Sequence, residues 1–300
     1  MPKHWDTDYR RGNEMINTVK IDINSAEYPP RLREIPDPPR QLYCTGNTGL
    51  LNERSIGVVG ARKNTVYGKN VALMIGRRLA ESGLTVTSGL ALGIDGYSHE
   101  GALEADGKVI GVLGSGIDHM TPQRNRGLMM KGLKNGGLVV SEYPPEEAGF
   151  KGNFPARNRI ISGLSEALVV VEAGLDSGSL ITAKHATEQG RTVYAVPGNI
   201  NSQTSIGCNL LIRDGAVPLI IIDDMIRDIG ATPVKASAAN SNMDADEQKV
   251  FDVVREMSGA TMQEIINNTG FSPGTANSLV TVMEIKGIVE SYAGRIYISR

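Results

Sequence analysis

The stretch "SIGVVGARKNTVYGKNVALMIGRRLAESGLTVTSG", residues 55–89, decides the fold class. Its two ends, "SIGVVG" and "LTVTSG", are short apolar runs without the polar alternation of a half-exposed strand. Such runs are typical of strands that are buried on both faces of a sheet. The helix-like "NVALMIGRRLAESG" between them ends in Gly, so the stretch predicts two parallel strands joined by a helix.

The same pattern continues to about residue 230. The further apolar runs are "KVIGVLG", "GLVVSEY", "EALVVVEA", "TVYAVPG" and "AVPLIII". Helical stretches such as "SLITAKHATEQG" lie between runs of this kind. The alternation of strands and helices predicts an α/β fold with a doubly wound, mostly parallel sheet over residues 55–230.

The segments on either side of this domain have a different character. Residues 1–54 form a polar lead-in, and its proline-rich centre, "EYPPRLREIPDPPRQLY", argues against a regular helix and favours extended chain against the larger domain. Residues 231–243 are small and polar without periodicity, which predicts a linker. Residues 244–300 hold three helix-like stretches, the last capped by Ser272, and a hairpin pattern that turns at Ala293-Gly294. Three helices and a hairpin predict a small C-terminal winged-helix domain.

Composition limits the class of protein. The 300 residues carry a net charge of −2, so global charge predicts no nucleic-acid partner and any basic site must be local. Cys44 and Cys208 are far apart and match no metal or redox spacing. The N-terminus has no apolar signal core, and no apolar run approaches the length of a membrane span. We expect a cytoplasmic protein without a disulfide framework or a membrane segment.

Small residues follow the carboxyl ends of the predicted strands, where ligands bind to open parallel sheets. The positions that could bring amides or hydroxyls to a phosphate are Gly60, Ser88, Gly89, Ser115, Ser177, Gly178 and Ser179. A tight strand-to-helix connection explains any one such turn. Several together, with Arg62 after the first strand, favour a phosphate-bearing ligand.

No cofactor, metal site or catalytic centre is predicted. "GVVGAR" and "GVLGSG" lack the three-glycine dinucleotide fingerprint, and a P-loop is absent. The 4 histidines are scattered without metal-ligand spacing, and ordinary packing is the simpler role for His99 and His185. Asp95 and Glu172 could act as bases at the sheet edge, but capping helices or fixing loops is the simpler role for both.

A locally basic region surrounds "FKGNFPARNRIISG", residues 150–163. Between His119 and Ser165 the acids are only Glu142, Glu146 and Glu147, whereas the cations are Arg124, Arg126, Lys131, Lys134, Lys151, Arg157 and Arg159. We expect Lys151 and Phe154 to lie on an irregular loop, where a cation and a ring could bind the backbone and a base of a single strand. The alternative is that Phe154 fills the core and that the arginines cap helix ends.

Residues 28–227 resemble the DNA-processing protein A (DprA, or Smf) family. The matching blocks are "GARKNTVYG", "TSGLALGIDGYSHEGAL", "GVLGSGID", "SEYPP", "FPARNRIISGLSEALVVVEA", "SGSLITAKHATEQGRTVYAVPGNI" and "GCNLLIRDGA". Many long blocks in one order make the resemblance specific.

The resemblance implies an extended Rossmann-like domain that binds single-stranded DNA. Since no residues form a nucleophile with its base, we expect a binding protein rather than an enzyme. The resemblance also implies a homodimer and the loading of the RecA recombinase during natural transformation. The DNA-binding residues that it implies are Arg62, Lys151, Phe154, Arg157, Asn158 and Arg159. Thr121 precedes Pro122 where the family typically has a tyrosine, and too few residues precede Tyr28 for the N-terminal helical domain of many members.

Two other functions remain as alternatives. A nucleotide-binding phosphoribohydrolase on a related fold would carry a Pro-Gly-Gly-x-Gly-Thr-x-x-Glu motif, but the corresponding region is "VEAGLDSGSLITA". A duplex-binding regulator would use the winged helix. Residues 244–300 hold five Lys or Arg against eight Asp or Glu, which disfavours a duplex-phosphate surface and favours a protein contact.

Overall fold

A computed structural model describes residues 18–232, 243–257, 259–285, 288–292 and 294–298. The chain divides into two compact units, Met1–Pro233 and Val234–Arg300. Most of the predicted linker, residues 231–243, lies outside the described residues, as does the start of the predicted lead-in. No helix in the described part is long and apolar enough to cross a membrane.

The first unit is built on a nine-stranded sheet in the order β1-β2-β6-β5-β4-β3-β7-β8-β9. The strands are β1 (Thr18–Asp22), β2 (Gln41–Gly46), β3 (Ser55–Val59), β4 (Thr85–Ser88), β5 (Val109–Leu113), β6 (Leu138–Ser141), β7 (Ala167–Val170), β8 (Thr192–Ala195) and β9 (Val217–Pro218). Neighbours from β6 to β9 pair in parallel, and β1 and β2 pair antiparallel. The predicted α/β class and the mostly parallel sheet are confirmed.

Helices cover both faces of the sheet, so the strands between them are buried. The helices are α1 (Pro30–Arg33), α2 (Val66–Glu81), α3 (Ile94–Glu104), α4 (Arg126–Lys134), α5 (Asn153–Leu164), α6 (Gly178–Glu188), α7 (Ile206–Arg213) and α8 (Ile222–Asp228). One apolar core joins the strands to α2, α3 and α8, and a second joins them to α5, α6 and α7. The domain is therefore doubly wound, as the alternating pattern predicts.

The segment before residue 55 is more regular than the sequence indicates. The sequence predicts extended chain against the larger domain, and the structure makes this chain part of the sheet as the strands β1 and β2, with β2 paired to β6. Its prolines also do not exclude a helix, because Pro30 occupies the first turn of α1, where a missing N–H costs nothing. Tyr28 and Leu32 are buried in the same core as α5, so the segment belongs to the first unit.

The last predicted strand is also shorter than the apolar run suggests. "AVPLIII" gives only the two-residue β9, whose residues are exposed, and Ile222 already begins α8. Pro218 within the run limits its pairing, and β9 lies at the edge of the sheet, where the side chains need not be buried.

The described residues of the second unit form three helices and a hairpin: α9 (Ala245–Glu256), α10 (Met262–Thr269), α11 (Pro273–Ile285), β10 (Val289–Tyr292) and β11 (Arg295–Ile298). Ser272 accepts a hydrogen bond from the Thr275 N–H, as predicted for the residue that caps α11. Tyr292 pairs with Arg295 across the hairpin. These elements match those expected of a winged helix, and they share an apolar core of their own.

Candidate functional site

A cleft of about 800 Å³ lies at the carboxyl ends of the central strands. Its walls come from the segments that follow β3, β4, β7 and β8, together with the first turns of α5 and α6. β3 is the strand where the order of the sheet reverses, because β4 follows it on one side and β7 on the other. A cleft at this switch point is where open parallel sheets bind ligands.

The cleft brings together eight of the residues that the sequence marked. They are Gly60, Arg62, Phe154, Arg157, Asn158, Ser177, Gly178 and Ser179. Ser88, Gly89, Ser115, Lys151 and Arg159 do not line it. The strand-end pattern and the family resemblance therefore point to one place, although each also includes residues that lie elsewhere.

Two exposed cations line the cleft immediately after β3. Arg62 and Lys63 are on the loop between β3 and α2, and no carboxylate of the described residues forms an ion pair with either. The buried Glu172 holds this loop, because its carboxylate accepts hydrogen bonds from the Thr65 N–H at 2.9 Å and the Thr65 hydroxyl at 2.7 Å. The two charges are thus presented to solvent on a fixed loop.

The first turn of α6 forms another wall of the cleft. Ser177 caps the helix, and its hydroxyl lies 2.7 Å from that of Ser179. Gly178 is exposed, and a Cβ added there would meet no atom within 4 Å, so the backbone at this turn is open to a ligand. Backbone N–H groups at a helix N-terminus favour an anion.

Phe154 contributes an aromatic ring to the cleft, but from a helix. The predicted irregular loop is wrong at this position, because α5 begins at Asn153 and Pro155 fits its first turn. The ring packs against the backbone of Gly114, where an added Cβ would come within 2.8 Å of the Phe154 Cδ1 atom. Phe154 is only partly buried, so part of its ring surface remains available.

Arg157 lines the cleft but is buried, with only 4% of its surface exposed. Its guanidinium donates hydrogen bonds to the carbonyls of Gly89, at 2.9 Å, and Val112. Burial lowers the pKa of Arg157 to about 10, against the charge of Asp95, which acts to raise it. The side chain thus joins α5 to the ends of two strands.

Arg159 lies on the other side of α5 and faces the N-terminal segment. Its guanidinium binds both carboxylate oxygens of Glu142, at 2.7 and 3.0 Å, and forms an ion pair with Asp37 at 2.9 Å. Glu142 follows β6, so this network connects α5, the sheet and the segment before β2. A charge so fully paired has few donors left for a ligand.

Asn158 lies between these arginines and touches the cleft. Its side-chain amide donates to the Gly178 carbonyl at 3.2 Å, which links α5 to the first turn of α6. The Asn158 side chain thus connects α5 to the first turn of α6, the two helices that line the cleft.

Lys151 and the remaining strand-end residues have other surroundings. Lys151 is exposed in the turn before α5, outside the cleft lining. The Ser88 hydroxyl donates to the Val58 carbonyl at 2.6 Å, and the Ser115 hydroxyl donates to the His119 carbonyl at 2.9 Å. Both serines are buried, so their hydroxyls stabilise the strand ends.

The acids and histidines have structural surroundings. Asp95 accepts a hydrogen bond from the Gly89 N–H at 3.1 Å, and burial raises the pKa of this carboxyl. Asp95 and Glu172 therefore fix loops, which is the simpler of the two roles that the sequence allows. His99 is buried on α3, and burial lowers its pKa to about 4. Within the described ranges, no three His, Cys, Asp or Glu residues are grouped to hold a metal ion.

Sequence reasoning missed several residues of the cleft. Lys63 directly follows Arg62 and could have been found by its position after β3. The others form the wall next to α6 and after β8: Leu175, Asp176, Ile181, Gln203, Thr204 and Ile206. The residues after β8 are two polar side chains and one isoleucine that fit no motif, so only the order of strands, which places β8 two positions from β3, brings them to the cleft.

Comparison with known proteins gives a consistent result. The family model described as DNA recombination-mediator protein A matches residues 20–230. Protein Smf of Escherichia coli (strain K12) is 38% identical over 272 residues, covering 84% of this chain and 73% of that protein. DNA processing protein DprA of Bacillus subtilis is 43% identical over 215 residues, 71% of each chain.

Two solved structures share both fold and sequence with the chain. DNA processing protein A from Streptococcus pneumoniae superposes with a TM-score of 0.66 at 40% identity, covering 70% of this chain and 74% of that one. DNA processing protein A from Helicobacter pylori has a TM-score of 0.64 at 30% identity, with 71% and 96% covered. The Helicobacter structure is described as giving insight into a single-stranded DNA binding mode.

Proposed function

The chain belongs to the DNA recombination-mediator protein A family, and we propose that it binds single-stranded DNA in the cleft at the β3–β7 switch point. The observation that carries the proposal is the presence in one cleft of two exposed cations, Arg62 and Lys63, and a partly exposed ring, Phe154. Cations that contact phosphates and rings that stack on bases are the components of sequence-independent single-strand binding. The relative from Helicobacter pylori, with its single-stranded DNA binding mode, supports the same ligand.

The residues of the site have two roles in this proposal. Arg62 and Lys63 contact phosphates, with the first turn of α6 as a further anion-binding group. Phe154 stacks on a base. Arg157, Asn158 and Arg159 act through others, because their hydrogen bonds hold α5 against the strand ends, α6 and Glu142.

The bound strand is passed to the RecA recombinase, and the protein acts as a mediator without catalysing a reaction. The family's description as a recombination mediator supports this step. The roles of Asp95 and Glu172 in fixing loops support a binding function over the phosphoribohydrolase alternative. We expect purified protein to leave nucleoside monophosphates intact. If the wild-type protein hydrolyses a nucleoside monophosphate and the Glu172→Gln variant does not, the phosphoribohydrolase alternative is favoured.

The active form is proposed to be a homodimer that forms at the β9 edge of the sheet. Three apolar side chains are exposed there, Val217, Ile220 and Ile221, with 39%, 71% and 49% of their surfaces accessible. A stable dimer would bury at least about 1,000 Å² in total. Light scattering at micromolar concentration tests this, and a monomeric mass would contradict it.

A titration against single-stranded and duplex DNA over a range of salt tests the proposed ligand. We expect clear preference for the single strand, because stacking on Phe154 needs an unpaired base. The Arg62→Ala/Phe154→Ala variant should lose most of this binding, whereas Lys184→Ala, a change at an exposed cation of α6 outside the cleft lining, should not. Equal affinity for duplex DNA at moderate salt would overturn the proposal.

A further inference from the structure

A strongly basic surface lies on α4, outside the cleft. Residues 119–141 contain no Asp or Glu, and their cations are Arg124, Arg126, Lys131 and Lys134, all exposed. No carboxylate of the described residues forms an ion pair with Arg124, Lys131 or Lys134. These three residues are called the α4 strip below. In a protein whose net charge is −2, such a stretch is a local feature that the cleft does not explain.

The packing of α4 leaves the side of the helix that carries Lys131 and Lys134 exposed to solvent. Met129 and Gly132 are buried, and Met129 belongs to the apolar cluster beside β5 and β6. Lys131 and Lys134 lie one turn apart on the solvent side of the helix. The nine residues of α4 extend about 13 Å, and Arg124 adds a further cation just before its first turn.

Hydrogen bonds fix the start of α4 at the edge of the cleft. The side-chain amide of Asn125 donates to the Leu90 carbonyl at 3.0 Å and to the Ala91 carbonyl at 2.7 Å. Ala91 itself lines the cleft. Since Asn125 stands between Arg124 and Arg126, the α4 strip begins directly beside the cleft wall formed after β4.

The opposite side of the cleft has no comparable charge. Residues 160–183, which run through β7 to the middle of α6, contain no Lys or Arg. They contain three acids, Glu166, Glu172 and Asp176, and Asp176 lines the cleft. The first cation after this range is Lys184 on α6, and it is paired with Glu188 at 3.8 Å. A polyanion that leaves the cleft therefore meets an acid and a paired lysine on the α6 side, whereas it meets several exposed cations on the α4 side.

We propose that a strand bound in the cleft continues past Ala91 along α4, where the α4 strip contacts its phosphates. The proposal rests on the proposed function and adds to it a second, sequence-independent part of the DNA site. A cleft of about 800 Å³ has the size of a small-molecule pocket, so it holds only a short piece of a strand. Single-strand-binding OB folds cover about 4–16 nucleotides each, and a strand toward the upper end of that range would extend beyond a cleft of this size.

The test compares oligothymidylates of two lengths, about 5 and about 20 nucleotides. We expect the Arg124→Ala/Lys131→Ala/Lys134→Ala variant to bind the short oligonucleotide like the wild type. For the long one, the log-log salt slope should fall by about 2, because each lost phosphate contact contributes about 0.7. The affinity at 0.1 M salt should fall on the order of tenfold to a hundredfold.

The matched control is Lys20→Ala/Arg77→Ala/Lys184→Ala, which removes three exposed cations from β1, α2 and α6. It should leave both oligonucleotides bound with wild-type slopes. If the α4 variant and the control reduce the slope equally, or if the α4 variant binds the long strand normally, the proposal is wrong. A loss confined to duplex DNA would also overturn it, in favour of a duplex-binding surface. Failure of wild-type protein to bind the short oligonucleotide would instead count against the cleft itself.

Discussion

The arginines on the two sides of the site show how differently one residue type is used. At the cleft, Arg62 is exposed and has no ion pair with a carboxylate of the described residues. On α5, Arg157 and Arg159 are only 4% and 8% exposed, and carbonyls and carboxylates take up their donors. The exposed arginine is available to a ligand, whereas the buried ones keep the cleft in shape.

This difference follows from the cost of burying a charge. A buried guanidinium must have its donors satisfied, so the surrounding strands and loops are built around it. Removal of such a residue leaves its former partners unpaired and destabilises the fold. Removal of an exposed arginine leaves stability nearly unchanged and affects only what binds there. Stability and DNA affinity should therefore separate the two groups.

The largest expected effect is on the stability of Arg159→Ala. The change leaves Glu142 without its bidentate partner and should lower the free energy of unfolding by about 3–5 kcal/mol. Denaturant unfolding of the purified variant measures this loss. Arg159→Ala combined with Glu142→Gln removes both charges of the pair and should recover part of it. A fully stable Arg159→Ala variant that fails to bind DNA would instead show that Arg159, like Arg62, contacts the ligand.

The buried region should also determine the acid stability of the protein, through His99. Its pKa is lowered by burial from the usual 6.5 to about 4, so the unfolded chain binds a proton more readily than the folded one. The stability from this group is present above pH 6.5 and is lost as the pH falls towards 4, by about 3 kcal/mol in all.

His99→Leu is the variant that isolates this contribution. The informative quantity is the loss of unfolding free energy between pH 6.5 and 4, rather than the stability of the variant at neutral pH. This loss should be smaller in the variant than in the wild type by about 3 kcal/mol. Denaturant midpoints at four or five pH values give the comparison. Parallel curves for the two proteins would mean that His99 is not buried in its neutral form.

Phe154 belongs to both regions, because its ring packs on Gly114 and also lines the cleft. If stacking is its main role, Phe154→Ala should weaken single-strand binding by about 1–3 kcal/mol and leave the salt slope unchanged, since stacking releases no counterions. If it is mainly a core residue, the variant should lose about 3–5 kcal/mol of stability. Binding titrations and the Tm, with Phe154→Tyr as a control that retains a ring, decide between the two.

The sequence predicted the sheet well because its strands are buried on both faces and therefore carry an unbroken apolar signal. It did not predict β1 and β2, since a polar, proline-rich segment that pairs at a sheet edge lacks that signal. For the site, position after a strand identified Arg62 and Gly178. Whether a cation is buried depends on partners distant in sequence, as Arg159 depends on Glu142. No local sequence pattern therefore distinguishes the buried Arg157 and Arg159 from the exposed Arg62.

The smallest expected effects concern the exposed cations. Among them, Lys151 is the most informative test, because it is exposed but lies outside the cleft lining. Arg62→Ala and Lys63→Ala should each lower the single-strand salt slope by about 0.7, the contribution of one phosphate contact, without a change in Tm. Family resemblance places Lys151 with Arg62, but the structure puts it in the turn before α5 and outside the cleft lining.

For Lys151→Ala, a position inside the cleft and a position outside it predict different salt slopes. A residue in the turn before α5 can reach a strand only where that strand passes outside the cleft, so its loss should not affect an oligonucleotide short enough to fill the cleft alone. With a longer strand, the slope should fall by no more than about 0.7. The same two lengths applied to Arg62→Ala serve as the reference, because Arg62 should affect both. If Lys151→Ala weakens the short oligonucleotide as much as Arg62→Ala does, Lys151 reaches into the cleft when DNA is bound, and the turn before α5 must move to allow it.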